Sequence, residues 1–220
     1  MFKSLFILSL ALVAALATSG VDFSRFQGAP DQSVFTCFKQ NGKEFFVNQI
    51  WGGSAGINKN FQGNWQKAKA AGIKYVDGYA FICNACAGNT ASNICNSIKN
   101  NLPSGFDGMI WLDVEPCTGC WINSYADRMN FVQGVASTCQ SLGLKLGVYS
   151  GMGSWGGVFG SSSYDAGALK SYPLWYSHYD GKASFSDWSS VRFGGWGSPA
   201  IKQYTGTTAF CGTSVDFSAY

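Results

Sequence analysis

The chain has 220 residues, 46% of them apolar and only 12% charged, with a net charge of +3. That length and composition fit one sizeable domain with its own core, and the weak positive balance leaves no nucleic-acid footprint. Aromatic residues make up 16% and glycines number 28, a combination suited to a sugar-binding cleft walled by rings and Gly-rich turns.

The chain opens on a predicted secretory leader over residues 1–19. Lys3 supplies the positive start, Leu5 to Leu16 the apolar stretch, and Ala15-Leu16-Ala17 the small-x-small cleavage site. The apolar run is too short to span a membrane and no second one follows. The remaining domain, 20–220, is therefore expected to be secreted or to enter the lumen of a phagocytic or lysosome-like vesicle, with no membrane contact once the leader is gone. Eight cysteines lie in this part: Cys37, Cys83, Cys86, Cys95, Cys117, Cys120, Cys139 and Cys211. An even number in an exported chain reads as four disulfides, without fixing the pairs. Cys83-x-x-Cys86 and Cys117-x-x-Cys120 also have zinc-ligand spacing. The oxidising compartment and the long gap between the two pairs favour disulfides, so no metal or other cofactor is expected.

Strand-like and helix-like stretches then alternate, which predicts an α/β fold with a parallel sheet. Strands are expected at 20–24, 45–51 and 75–81, and helices from 64 to 71 and from 90 to 101. The next stretch, Met109-Ile110-Trp111-Leu112-Asp113-Val114-Glu115-Pro116, carries the chemistry. As a strand it turns Ile110, Leu112 and Val114 to one face and Met109, Trp111, Asp113 and Glu115 to the other. Pro116 ends it, because proline cannot donate to a sheet ladder. At a rise of roughly 3.3 Å per residue, acids at i and i+2 have Cβ atoms about 6–7 Å apart. Their carboxyls can flank one glycosidic bond, which needs about 5–5.5 Å for retention and roughly 6.5–9.5 Å for inversion.

Ser124 opens a long helix to about Leu142, with Asp127 in capping-box position and Gly143 as the stop. A strand at 144–150 leads to Gly151–Gly160, which reads as a mobile glycine-rich loop walling a cleft. A short helix at 164–170 and strands at 174–179, 200–204 and 213–217 complete the chain. Eight strands with helices only after the first five or so predict a closed, irregular barrel. In such barrels the chemistry sits at the strand C-termini. Asp22, Asp113 with Glu115, Tyr149, Tyr176 with His178, Gln203 and Asp216 fall at such ends. Val21-Asp22-Phe23-Ser24 recurs as Val215-Asp216-Phe217-Ser218, so first and last strands are expected as neighbours with their two aspartates at one rim. His178, the single histidine, is expected to be a satisfied supporting residue.

The ordered landmarks Gly20-Val21-Asp22-Phe23-Ser24, Trp111-Leu112-Asp113-Val114-Glu115-Pro116, Gly147-Val148-Tyr149-Ser150, Leu174-Trp175-Tyr176-Ser177, Ile201-Lys202-Gln203-Tyr204-Thr205 and Val215-Asp216-Phe217-Ser218 resemble glycoside hydrolase family 25. These are lysozymes that cut muramic acid linkages in peptidoglycan, and the chain is most similar to their cysteine-rich protist and nematode branch. The resemblance implies a single flattened TIM-like barrel of about five β/α units followed by three strands. It implies Glu115 as general acid and Asp113 as the group that orients or charge-stabilises the substrate N-acetyl group, or attacks directly. Asp22 and Asp216 complete a carboxylate ring that positions the pair and tunes its proton affinity. Tyr149, Trp175, Tyr176, Gln203, Trp111 and Tyr79 are the expected substrate-binding residues. The implied partner is bacterial peptidoglycan, met by a monomer. Two departures stand out: Asp77-Gly78-Tyr79 on the third strand, and the cysteine loops at 83–95 and 117–120.

Two rival readings remain at this point. A chitinase-like hydrolase shares an acidic strand, although Trp111 stands where that family has an aspartate. A non-catalytic wall-binding protein on the same barrel would have no use for the intact Asp113 and Glu115.

Overall fold

The computed structural model describes residues 18–220; residues 1–17, where most of the expected leader falls, lie outside the described residues. Eight strands close a barrel in chain order: β1 (Ser19–Phe23), β2 (Lys43–Gly52), β3 (Tyr75–Phe81), β4 (Ile110–Asp113), β5 (Leu146–Gly151), β6 (Leu174–Ser177), β7 (Ile201–Phe210) and β8 (Thr213–Ala219). Neighbours from β1 to β7 pair parallel, and β8 returns antiparallel between β7 and β1. Helices α1 (Gln32–Gln40), α2 (Phe61–Ala70), α3 (Ala91–Asn101), α4 (Tyr125–Ser141) and α5 (Met152–Phe159) each follow one of the first five strands. The expected five β/α units and three closing strands are therefore present. Among the described residues, no helix is long and apolar enough to cross a membrane.

The alternation on β4 sorts the core into two layers. Ile110, Leu112 and Val114 point outward and are buried with Ile94 and Ile98 of α3 and Val132 and Val135 of α4. Trp111 points inward and packs with Phe45, Val47, Tyr149, Trp175 and Ile201. Each such side chain contributes about 1.5–3 kcal/mol by leaving water. The Trp111 ring lies so close over Gly147 that no Cβ fits there, which explains a glycine in the middle of β5. Asp77 is explained as well. Its carboxylate accepts from the Met109 backbone N–H and from Trp111 Nε1, both at 2.9 Å, and so ties β3 to β4. Beside it, the Phe61 ring and Ile110 crowd Gly78.

Several boundaries differ from the sequence reading. The acidic strand stops at Asp113 rather than at Pro116, leaving Glu115 beyond the ladder. The glycine-rich stretch expected as a loop is α5, capped at its end by Gly160 in the left-handed conformation. Burial of Trp155, Val158 and Phe159 on one face outweighs the low helix propensity of its glycines. The short helix expected at 164–170 is a 3-10 turn, Gly167–Ser171. Helix α1 was not anticipated, although Asp31 and the apolar spacing Val34, Phe35, Phe38 announce it. The Ser124–Asp127 capping box forms as expected. The cysteines pair as Cys37–Cys211, Cys83–Cys86, Cys95–Cys139 and Cys117–Cys120. The third joins α3 to α4, and the first ties α1 to the β7–β8 turn.

Candidate active site

Four carboxylates meet at the C-terminal end of the parallel strands. Asp22 from β1, Asp113 from β4, Glu115 just past β4 and Asp216 from β8 line a cavity of about 110 Å³, with Tyr79, Tyr149, Trp175, Tyr179 and Gln203 around them. No cation is among these lining residues. The repeated Val-Asp-Phe-Ser motif is the structural reason two acids share the rim. β1 and β8 are paired, and Asp22 stands opposite Asp216 in their register.

Gln203 organises one side. Its Nε2 donates to both oxygens of Asp22 at 3.0 Å and to Asp216 at 3.3 Å. Its Oε1 accepts from the hydroxyls of Tyr149 at 2.7 Å and Tyr179 at 2.8 Å. Burial pushes the Tyr179 hydroxyl up to about 12 and Tyr149 well above its usual range, so both remain protonated donors. Asp216 Oδ1 also accepts from the Thr207 backbone N–H. Asp113 is 6% exposed, yet its Oδ1 has no hydrogen-bond partner among the described residues.

All four acids hold their protons more tightly than usual. For Asp22 and Asp113 the main cause is burial, followed by the charges of neighbouring acids. Glu115 is raised by burial and by Asp216, with a hydrogen bond from Ser154 opposing. Asp216 is raised by burial against the Thr207 N–H. The leading cause is desolvation, over the aromatic floor that Trp175 and Tyr149 make with ring centroids 4.5 Å apart, ahead of repulsion between like charges.

A group whose folded-state pKa is raised stabilises the fold below its unfolded value, and that contribution is lost as pH rises through the folded value. The acidic pocket therefore costs stability at neutral pH. Asp113→Asn, which keeps the shape and removes the charge whose burial is penalised, is expected to be more stable than wild type at pH 7 by about 1–3 kcal/mol. The gap should narrow by pH 4, as measured by guanidinium unfolding at both values.

Two expected substrate residues do not reach this cavity. Tyr176 is fully buried on the outer side of β6 and gives its hydroxyl to Asp187 Oδ1 at 2.8 Å. Trp111 is buried deeper in the barrel, its Nε1 occupied by Asp77. Adjacent strand positions face opposite ways, so with Trp175 lining the cavity Tyr176 must point outward. His178 lies outside the cavity lining and pairs through Nδ1 with Asp187 Oδ2 at 2.6 Å. Tyr179 and Ser154 were missed. Tyr179 lies two residues past the Leu174–Ser177 motif, at the end of the expected strand 174–179, whereas Ser154 lies in the stretch expected as a loop.

A larger groove of about 540 Å³ opens at the opposite end of the barrel, near Phe45, Tyr75, Met109 and Tyr220. Its one part-buried acid, Asp77, has both oxygens engaged, so it offers no free carboxylate pair. Among the described residues, two clusters have metal-ligand residue types. The sulfurs of Cys83, Cys86 and Cys120 are engaged in disulfides. Between Asp180 and Asp187 stands the buried Lys202 ammonium, at 2.8 and 3.0 Å, in the place a cation would take beside His178.

The chain matches the family model described as Lys-1, lysozyme-like protein 1, over residues 14–204. It is 40% identical over 225 residues to counting factor 50 of Dictyostelium discoideum, spanning 98% of this chain and 72% of that protein. To the probable GH family 25 lysozyme 5 of the same organism it is 33% identical over 215 residues, covering 96% of this chain and 94% of the relative. Among solved structures, a muramidase from Trichobolus zukalii superposes with a TM-score of 0.72 at 21% identity, over 91% of this chain and 92% of that one.

Proposed function

The chain belongs to the glycoside hydrolase family 25 lysozymes, and from that premise we propose that it is a secreted N-acetylmuramidase. It cleaves the β-1,4 bond between N-acetylmuramic acid and N-acetylglucosamine in bacterial peptidoglycan. The observation that carries the mechanism is the placement of a buried, unpartnered Asp113 oxygen and of Glu115, bonded through one carboxyl oxygen to Ser154, in one cavity.

Glu115, whose hold on its proton is strengthened by burial and by Asp216, gives that proton to the glycosidic oxygen as the bond to the anomeric carbon breaks. The leaving sugar departs with a free 4-hydroxyl. Asp113 Oδ1, lacking any partner, accepts from the substrate acetamido N–H and so turns the acetamido oxygen toward the anomeric carbon. That oxygen closes on the carbon and neutralises the developing positive charge. Water then opens the ring intermediate, and Glu115, now a carboxylate, takes the water proton and is restored. Asp22 and Asp216, joined through Gln203, border the pair and strengthen its hold on protons, Asp22 acting on Asp113 and Asp216 on Glu115. Tyr79, Tyr149, Tyr179 and Trp175 supply hydroxyls and a ring face to the sugar.

Substrate assistance makes the N-acetyl group obligatory. Turnover of peptidoglycan is expected to fall sharply when the polymer is de-N-acetylated, measured as new reducing ends, while binding to the wall persists. Unchanged turnover on the de-N-acetylated polymer would make Asp113 the nucleophile instead. Cleavage confined to chitin would favour the chitinase-like reading, and binding without cleavage of either polymer the non-catalytic one.

A further inference from the structure

Glu115 lies two residues beyond the last ladder position of β4, so the sheet alone does not hold it. Its backbone is fixed from three sides. The Val114 N–H donates to Tyr149 O at 3.0 Å, Ser150 Oγ donates to Val114 O at 2.7 Å, and Trp121 Nε1 donates to Glu115 O at 2.8 Å. One bond reaches the carboxyl itself: Ser154 Oγ, in the first turn of α5, donates to Glu115 Oε1 at 3.0 Å. No other hydrogen bond to either carboxyl oxygen occurs among the described residues. Helix α5 is seated against the same segment, where Gly157 lies close under Pro116.

We propose that Ser154 is the positioning residue for Glu115, fixing which carboxyl oxygen carries the transferable proton. This rests on the reading of Glu115 as the general acid. With Oε1 engaged as an acceptor, the acid proton sits on Oε2, the oxygen left free for the glycosidic bond. When that proton moves to the leaving oxygen, the electron pair of the O–H bond stays on the carboxyl. The Ser154 bond then changes from neutral to charge-assisted, which roughly doubles its strength. An interaction that strengthens as the proton departs raises kcat and leaves KM alone.

The groups facing Glu115 are Asp22 from β1, Asp113 from β4 and Asp216 from β8, with Tyr79 from β3, Tyr149 from β5 and Tyr179 after β6. Neither α5 nor the 117–123 loop contains a charged residue. Ser154 is therefore the single contact on its side that favours the carboxylate form, and its loss leaves nothing there to replace it.

The chain contains only two glutamates, Glu44 and Glu115, so Glu115 can be titrated by carbon-13 NMR of side-chain-labelled protein without any activity assay. In Ser154→Ala the Glu115 midpoint is expected to rise by roughly 0.5–1 pH unit. On soluble peptidoglycan fragments kcat should fall about tenfold, with KM changed less than about twofold and the alkaline limb of the rate profile moved upward. Ser154→Thr, which keeps the hydroxyl, should restore both readouts. An unmoved Glu115 midpoint in Ser154→Ala would overturn the proposal, as would a shift that Ser154→Thr fails to reverse. A shifted midpoint in a protein whose wild type releases nothing would uphold the Ser154 contact and refute the muramidase reading.

Discussion

Glu115→Gln is expected to lower release of muropeptides by about 10²–10⁴-fold, the range for loss of a positioned general acid. The substitution keeps the shape and a side-chain oxygen to accept from Ser154, while Trp121 Nε1 still donates to the backbone carbonyl; only the transferable proton is gone. Because burial already disfavours the Glu115 carboxylate, the variant should unfold at the same temperature as wild type or slightly above. Its binding to intact walls should be unchanged. Reducing-end assays, thermal unfolding and wall co-sedimentation on the same preparation separate the two possible roles. A variant that fails to fold would make Glu115 structural.

Asp187→Ala is expected to destabilise the fold by about 3–5 kcal/mol, the cost of breaking a buried ion pair from one side, and to lower Tm by roughly 10 °C. The Lys202 ammonium, whose side chain is 1% exposed, is held by Asp180 Oδ1, Asp187 Oδ1 and the Ser184 carbonyl. Although burial opposes its ionisation, hydrogen bonds from His178, Lys202 and Tyr176 keep Asp187 down at about 2. Its folded-state value lies below the unfolded one of about 3.9, so its contribution is present above pH 4 and lost as pH falls toward 2. Wild type should therefore lose stability over that window, and the variant should lose less. The same cluster closes the connection between β6 and β7, which has no α-helix and carries Tyr179 to Gln203. Activity in Asp187→Ala should fall along with stability, mainly through KM, as checked by unfolding and steady-state kinetics.

Sequence alone exposed the parts of the site that obey simple periodicities. The two-residue period of β4 put Asp113 and Glu115 on the inner face, and the repeated Val-Asp-Phe-Ser placed Asp22 opposite Asp216. Chain closure made that repeat informative, since first and last strands must meet. What escaped was tertiary in origin. Helix α5 forms because Trp155, Val158 and Phe159 find a buried face, a fact no local propensity contains. Ser154 was hidden with it. Tyr176 is expected at the substrate because it falls at a strand end, and Trp111 because it shares the acidic face of its strand. The pleat turns one outward, and the narrow barrel buries the other beneath the carboxylates. Asp77, a departure from the family pattern, proved to be a tie between β3 and β4.

The most direct test is the chemical identity of the new reducing end. Peptidoglycan digested by the wild-type protein, reduced with borohydride and hydrolysed, should yield reduced muramic acid, and the Glu115→Gln digest should yield none above background. Reduced glucosamine in its place, or equal yields from the two proteins, would contradict a muramidase acting through Glu115.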